Sequence, residues 1–246
     1  MPVAIISDIH GNLIALDAVL NAIAARNIKQ IICLGDVAAT GPQPREVIAR
    51  LKTIGCPVVM GNTDDLLLEP KLKEHSNLDM QRIHEIELWD SQQLTAEDRA
   101  YLKSFQPTIA YNLKHGKRLL AYHGSPRSYK EHIQPTTPDN ELDAALSGYQ
   151  ADIFIGGHSH MQMFRRHRRS LVLNPGSVGL AFDHAWPFDA AVRNPSWAEY
   201  AIIDTSNGSL SVELNRVPFD VQTFIQAALV SGMPHAEWYA GEWSIA

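Results

Sequence analysis

The stretch Val3-Ala4-Ile5-Ile6-Ser7-Asp8-Ile9-His10 decides how the chain folds. Four apolar, mostly β-branched residues make a run of buried-strand length, and it ends in a carboxylate and an imidazole. The same construction returns along the chain. Ile31–Leu34 leads into Gly35-Asp36, Val58–Met60 into Gly61-Asn62, and Ile153–Ile155 into Gly156-Gly157-His158-Ser159-His160; the plainer run Leu119–Tyr122 leads into His123-Gly124. Strand ends are where an open α/β sheet gathers its ligand site. A mixed set of oxygen and nitrogen donors suits ions such as Mn, Fe or Zn rather than a thiolate centre. Each motif alone is weak, and Gly-His-x-His is also compatible with two surface histidines. Their ordered repetition points to metal binding.

Between these runs the pattern is helical. Leu13, Leu16, Val19, Leu20 and Ile23 share a face, with Asn12 placed as N-cap. Val47, Ile48, Leu51 and Ile54 repeat the spacing in a helix that opens near Pro44 and stops at Gly55. Such βαβ units imply parallel strands with right-handed crossovers. From about 66 to 106 the chain is charged and helix-prone, with Thr95 and Asp98 marking a helix start. This insertion is expected to overhang the site, either as structural filler or to shape substrate access. A helix is expected over Asp139–Leu146 and a strand over Leu171–Leu173 that closes in the turn Asn174-Pro175-Gly176-Ser177. A long loop, about 178–197, carries Asp183, His184, Trp186 and Asp189. Tyr200–Ile203 and Leu210–Leu214 flank Asn207-Gly208 as a hairpin, and a helix follows around Phe219–Val230. The expectation is one α/β domain over residues 1–246.

Composition agrees. A chain of 246 residues with 45% hydrophobic content supports a sizeable core. Its net charge of −6 argues against a stable nucleic-acid complex. No apolar run reaches the roughly 18–20 residues of a membrane span, and no leader pattern precedes the first strand. Cys33 and Cys56 make no disulfide framework and read as small buried hydrophobes. A cytoplasmic protein acting on a small substrate is the simplest expectation, and a homo-oligomer is compatible with the aromatic tail at Trp238, Tyr239 and Trp243.

The motif order Asp-x-His, Gly-Asp, Gly-Asn, His, Gly-His-x-His over residues 8 to 160 resembles the calcineurin-like metallophosphoesterase superfamily. The stretch Asn-Pro-Gly-Ser-Val-Gly from Asn174 is similar to its small prokaryotic phosphodiesterase subgroup. The resemblance implies a four-layer α/β/β/α sandwich of two mixed sheets around a dinuclear centre. Asp8, His10, Asp36 and His160 would hold one ion; Asp36 would bridge to a second held by Asn62, His123 and His158. Asp36, Asn62 and His123 would form the catalytic core. Two divalent ions are implied (Mn, Fe, Zn or Ni, with Mn favoured). With two carboxylates among seven ligands the site keeps roughly +2, which suits a phosphate ester attacked by a metal-bridging hydroxide.

One position departs from the superfamily. Where most members have Gly-Asn-His, this chain has Gly61-Asn62-Thr63-Asp64. The missing imidazole is the one assigned to protonating the leaving alcohol, and general-acid help is typically worth about 10²–10⁴ in rate. Thr63 is read as a hydrogen-bond donor to a phosphoryl oxygen. Arg127 is read as a substrate-phosphate contact or, equally, a solvated loop arginine. His132 and His184 are candidate substitute acids, though each is more simply a loop histidine, and Arg165–Arg169 is a solvated hairpin turn or a polyanion contact. The favoured function is a phosphodiesterase. The alternatives are a phosphomonoesterase or nucleotide or protein phosphatase, and, in another class, a non-catalytic metal-binding scaffold.

Overall fold

The computed structural model describes residues 2–184 and 193–243. Trp186 and Asp189, in the long loop, lie outside them. The strands are β1 (Val3–Ile6), β2 (Gln30–Cys33), β3 (Ile109–Asn112), β4 (Arg118–Ala121), β5 (Ile153–Ile155), β6 (Met163–His167), β7 (Ser170–Asn174), β8 (Trp197–Asp204) and β9 (Ser211–Pro218). The helices are α1 (Leu13–Ala25), α2 (Pro44–Ile54), α3 (Asn62–Leu68), α4 (Leu78–Gln93), α5 (Ala96–Lys103), α6 (Asp139–Leu146), α7 (Val221–Val230) and α8 (Ala236–Gly241).

Two mixed sheets result, ordered β2-β1-β8-β9 and β3-β4-β5-β7-β6. In the first, β1 runs parallel to β2 and antiparallel to β8. In the second, β4, β5 and β7 run parallel, and β3 and β6 close the edges antiparallel. Three apolar clusters account for the layering. Leu16, Val19, Val47, Ile48 and Leu51 of α1 and α2 pack on one face of the first sheet with Ala4 and Ile6. Alternate residues Val3 and Ile5 turn to the other face, against Leu119, Ile153 and Leu173 of the second sheet. Leu142, Ala145 and Leu146 of α6 cover the far side of that sheet on Leu120 and Phe154. This is an α/β/β/α sandwich. Among the described residues no helix is long and apolar enough to cross a membrane.

Local signals behave as read. Asn12 Oδ1 accepts from the Ala15 amide at 2.9 Å, and Pro44 opens α2, which ends on Gly55 at φ 66°. Thr95 and Asp98 form a capping box at α5. The run Val58–Met60 departs from expectation, since it pairs only through isolated bridges, Cys33 with Val58 and Val59 with Gln106. Pro57 has no N–H to extend the ladder, so only its carbonyl joins, accepting from the Cys33 amide at 3.0 Å.

The two sheets meet at the strand ends with little room between backbones. A Cβ on Gly179 would lie 1.7 Å from the Ile9 carbonyl oxygen, and one on Gly41 would lie 1.9 Å from that of His10. Both contacts are to backbone, which cannot swing aside. Gly179→Ala should therefore destabilise the fold by about 1–3 kcal/mol and displace the Asp8–His10 turn. Thermal melts with metal analysis check this; an unchanged melting temperature at full metal content would show that the turn relaxes freely.

Candidate metal centre

The loops after β1, β2, β4 and β5 converge where the sheets meet. Asp8, His10 and His160 form one cluster of donor atoms and Asp36, His123 and His158 another, the atoms of each lying within 4.8 Å of one another. Asp36 Oδ2 lies 3.2 Å from His123 Nε2 and 3.9 Å from His10 Nε2, between the two clusters. Asn62 Oδ1 sits 3.0 Å from His123 Nε2. All seven expected ligands come together.

Backbone carbonyls orient the rings. His10 Nδ1 lies 2.9 Å from the Ala39 oxygen, His123 Nδ1 2.8 Å from that of Leu34, and His160 Nδ1 2.6 Å from that of Leu180. A carbonyl only accepts, so each Nδ1 carries the proton and each Nε2 of the neutral ring turns a lone pair inward. His10 Nε2 then faces His160 Nε2 at 3.1 Å, acceptor against acceptor. In the neutral form that a ligand requires, His123 Nε2 faces the Asn62 oxygen in the same way, and His158 Nε2 is buried with no hydrogen-bond partner among the described residues. Opposed lone pairs without a proton between them are what a cation relieves, so these residues fit a divalent metal pair.

The backbone is bent for the same end. Asp8 (φ 53°), His10 (47°), Asp36 (50°), His158 (67°) and His160 (55°) all occupy the left-handed region. That conformation is costly for residues with a Cβ and clusters at functional sites. Each departure tips the side chain off the strand path toward the centre.

A second set of groups fixes the loops. Asp64 accepts from the backbone amides of Asp36 (2.8 Å), Val37 (2.9 Å) and Gly61 (3.0 Å), tying the Gly-Asp loop to the Gly-Asn loop. Burial and nearby Asp36 push the Asp64 carboxyl up, against those donors. Asp90 of α4 accepts from the Thr40 amide at 2.6 Å, so the helical insertion braces the loop behind His10. Tyr239 donates its hydroxyl to the Thr40 carbonyl at 2.8 Å. Glu87 lies 3.5 Å from His84 Nδ1, and burial followed by Asp36 pushes it up to about 7. Asp64 was visible in the sequence only as an acidic neighbour of Asn62. Asp90, Glu87 and Tyr239 had no motif to reveal them, because their partners lie far away in sequence.

The substrate-contact readings come out differently. Thr63 donates its amide to Asp36 Oδ1 at 2.9 Å, and its buried hydroxyl has no hydrogen-bond partner among the described residues. Arg127 is engaged by Glu131, with Nε 2.9 Å from Oε2, and lines a shallow depression with Pro107 and Tyr129 that contains none of the ligands. His132 is close in, its ring centroid 4.0 Å from that of His158 and the two planes tilted by 32°. His184 is bonded to Asp183. Beside the centre, Asn62, His132 and His158 line a cavity of about 300 Å³ together with Asp65, Glu69, Lys71 and Lys130.

With this geometry in place, the comparisons are decisive at the level of family. Residues 1–208 match the calcineurin-like phosphoesterase superfamily domain. An uncharacterised protein of Methanocaldococcus jannaschii is 31% identical over 242 residues, covering 96% of this chain and 94% of that protein. The chain therefore belongs to the calcineurin-like phosphoesterase superfamily. The fold is shared with a metallophosphoesterase from Sphaerobacter thermophilus (TM-score 0.77, 24% identity, 98% of this chain and 99% of that one). It is shared equally with a hypothetical protein from Pyrococcus horikoshii OT3 (TM-score 0.80, 20% identity, 98% and 96%).

Metal loading should release protons. Burial alone pulls His123 down, but Asp36 outweighs it and pushes the imidazole up to about 9 in the metal-free protein. At pH 7.5 that ring is protonated, whereas a ligand must be neutral. Metal affinity should rise with pH toward 9, with about one proton released per chain on loading at pH 7.5. Calorimetry in buffers of different ionisation enthalpy measures the number; zero release would remove His123 from the ligand set.

Proposed function

We propose that this chain is a phosphodiesterase that works with two divalent ions, Mn favoured, on a small phosphate ester. The observation that carries the reading is the convergence of two donor clusters on Asp36, with His10 packed nitrogen to nitrogen against His160, beside a cavity of about 300 Å³. Such an ion pair, when bound, supplies an activated water near neutral pH and positive charge for the phosphoryl oxygens.

The chain's own groups set the rest. Asp36, held as a carboxylate below the usual range because His123 and His10 outweigh the effect of burial, lies between the two donor clusters. Asp8 receives the His158 amide at 3.1 Å, which fixes its carboxylate toward His160 at 3.4 Å. The cavity wall combines Lys71 and Lys130 with Asp65 and Glu69. That near-balance of charge favours a polar leaving alcohol over a second phosphate dianion. Position 63 offers no imidazole to protonate the departing oxygen, which favours substrates whose alcohol leaves unaided.

Exhaustive chelation should abolish hydrolysis of an aryl phosphodiester while circular dichroism stays near native, since the three cores contain no metal ligand. Mn should restore the rate, and Asp36→Asn should lose both activity and at least one ion. Full activity after verified metal removal would sink the proposal. Aryl diesters should also turn over far faster than alkyl diesters of matched binding groups, giving a steep fall of log kcat with leaving-group pKa. A shallow slope would mean that another acid already serves, His132 being the first to replace.

A further inference from the structure

A second cavity lies at the opposite pole of the sandwich. It has a volume of about 650 Å³, within the roughly 300–1,000 Å³ of small-molecule sites. Its residues come from the starts of the parallel strands: Lys117 before β4, Asp152 before β5, and Ser170 and Leu171 of β7. The metal ligands His123 and His158 stand beyond the other ends of β4 and β5, roughly 15 Å or more away. The groove is also where the edge strand of each sheet, β6 and β9, borders open space. Its floor is the rim of the inter-sheet core, Leu171, Leu210 and Val212.

The walls are cationic in a chain of net charge −6: Lys117, Arg166, Arg168 and Arg169 against one carboxylate, Asp152. Lys117 is tied to Asp152 at 2.7 Å and Arg168 to Asp143 at 2.6 Å. On the other face of β6, Arg165 and His167 are bonded to Asp139 and Asp143 of α6. Arg166 and Arg169 have no acidic partner among the described residues. Next to them Phe164, on the same face of β6 as Arg166, leaves 52% of its surface exposed.

Charged residues on an edge strand commonly guard against edge-to-edge pairing, and that accounts for arginines on β6. It does not account for an exposed phenyl ring beside them, which works against such a guard. The turn itself is also unfavourable for stability. Arg168 and Arg169 fill a two-residue hairpin loop with Arg168 at φ 53°, where glycine or asparagine is preferred. Two guanidinium forks, an open aromatic face and an apolar floor match a ligand with a phosphate chain and a flat ring. A long polyanion is disfavoured by the acidic remainder of the chain.

We propose that this groove binds a nucleoside di- or triphosphate, its base on Phe164 and its phosphates on Arg166 and Arg169. The site is separate from the metal centre and does not depend on the hydrolase reading. The experiment uses full-length, metal-free protein, so that the metal centre cannot hold phosphate, and titrates ADP, adenosine and inorganic tripolyphosphate by calorimetry. ADP should bind with Kd below about 100 µM, and more tightly than either fragment. Arg166→Ala with Arg169→Ala should weaken ADP at least about tenfold, while Phe164→Ala should weaken ADP but leave tripolyphosphate unchanged. These positions are exposed, so circular dichroism and aryl-diester hydrolysis of the Mn-loaded variants should match wild type. No binding of ADP at 1 mM, or binding untouched by the arginine changes, overturns the proposal. Tripolyphosphate binding as tightly as ADP, with Phe164→Ala silent, overturns the nucleotide assignment.

Discussion

Three backbone carbonyls, those of Leu34, Ala39 and Leu180, determine what the centre of this molecule can be. Each takes the Nδ1 proton of one histidine and so turns the other nitrogen inward as a lone pair. Once three imidazoles are oriented that way, beside two buried carboxylates, the interior holds acceptors with almost nothing to accept from. A protein could relieve that by protonating rings, and the upward shifts of His123 and His160 in the metal-free state are that response. Binding cations relieves it without changing the geometry. The selection of metal is thus made by loop backbone as much as by side-chain identity.

The carbonyls are themselves held by groups outside the ligand set. Asp64 collects three amides from two loops, Asp90 reaches the Thr40 amide from the insertion, and Ser177 donates to the Asp8 carbonyl at 2.7 Å. Asn174 donates to the Gly157 carbonyl at 2.7 Å, beneath the Gly-His-x-His loop. The left-handed backbone at five ligands is sustained by this lattice of polar contacts rather than by local preference. A ligand residue in a softer surrounding would relax to an ordinary strand or turn conformation and point elsewhere.

Much of this was legible in the sequence for a simple reason. A buried strand must be apolar, its end must turn, and a carboxylate or imidazole at that end has few uses except as a ligand. Asn12, Pro44, Gly55 and the Thr95–Asp98 pair were readable because caps act within a few residues of themselves. Position 58–60 was harder, since Pro57 lowers the pairing capacity of an otherwise strand-like run. Arg127 could be read equally as a phosphate contact or as a loop arginine, and its engagement by Glu131, four residues on, follows no motif. Asp90, Glu87 and Tyr239 were invisible because side chains that brace a loop from a distant element carry no spacing pattern. The groove between β6 and β9 was legible only as a run of arginines, not as two with acidic partners and two without one among the described residues.

The hydrogen bond from Tyr239 to the Thr40 carbonyl has a consequence for how the molecule is made. The first strand waits for β8, and the His160 ring waits for the Leu180 carbonyl. The loop behind His10 waits for Tyr239, separated from Thr40 by 199 positions. Asp8 and His10 leave the ribosome well before Tyr239, so the cage that gives them affinity closes only after the residues that brace it have been made. A nascent chain therefore presents scattered, weak donors, and the choice of ion is deferred to a folded protein in equilibrium with the metals around it. Occupancy then reports the composition of the surroundings rather than the moment of synthesis.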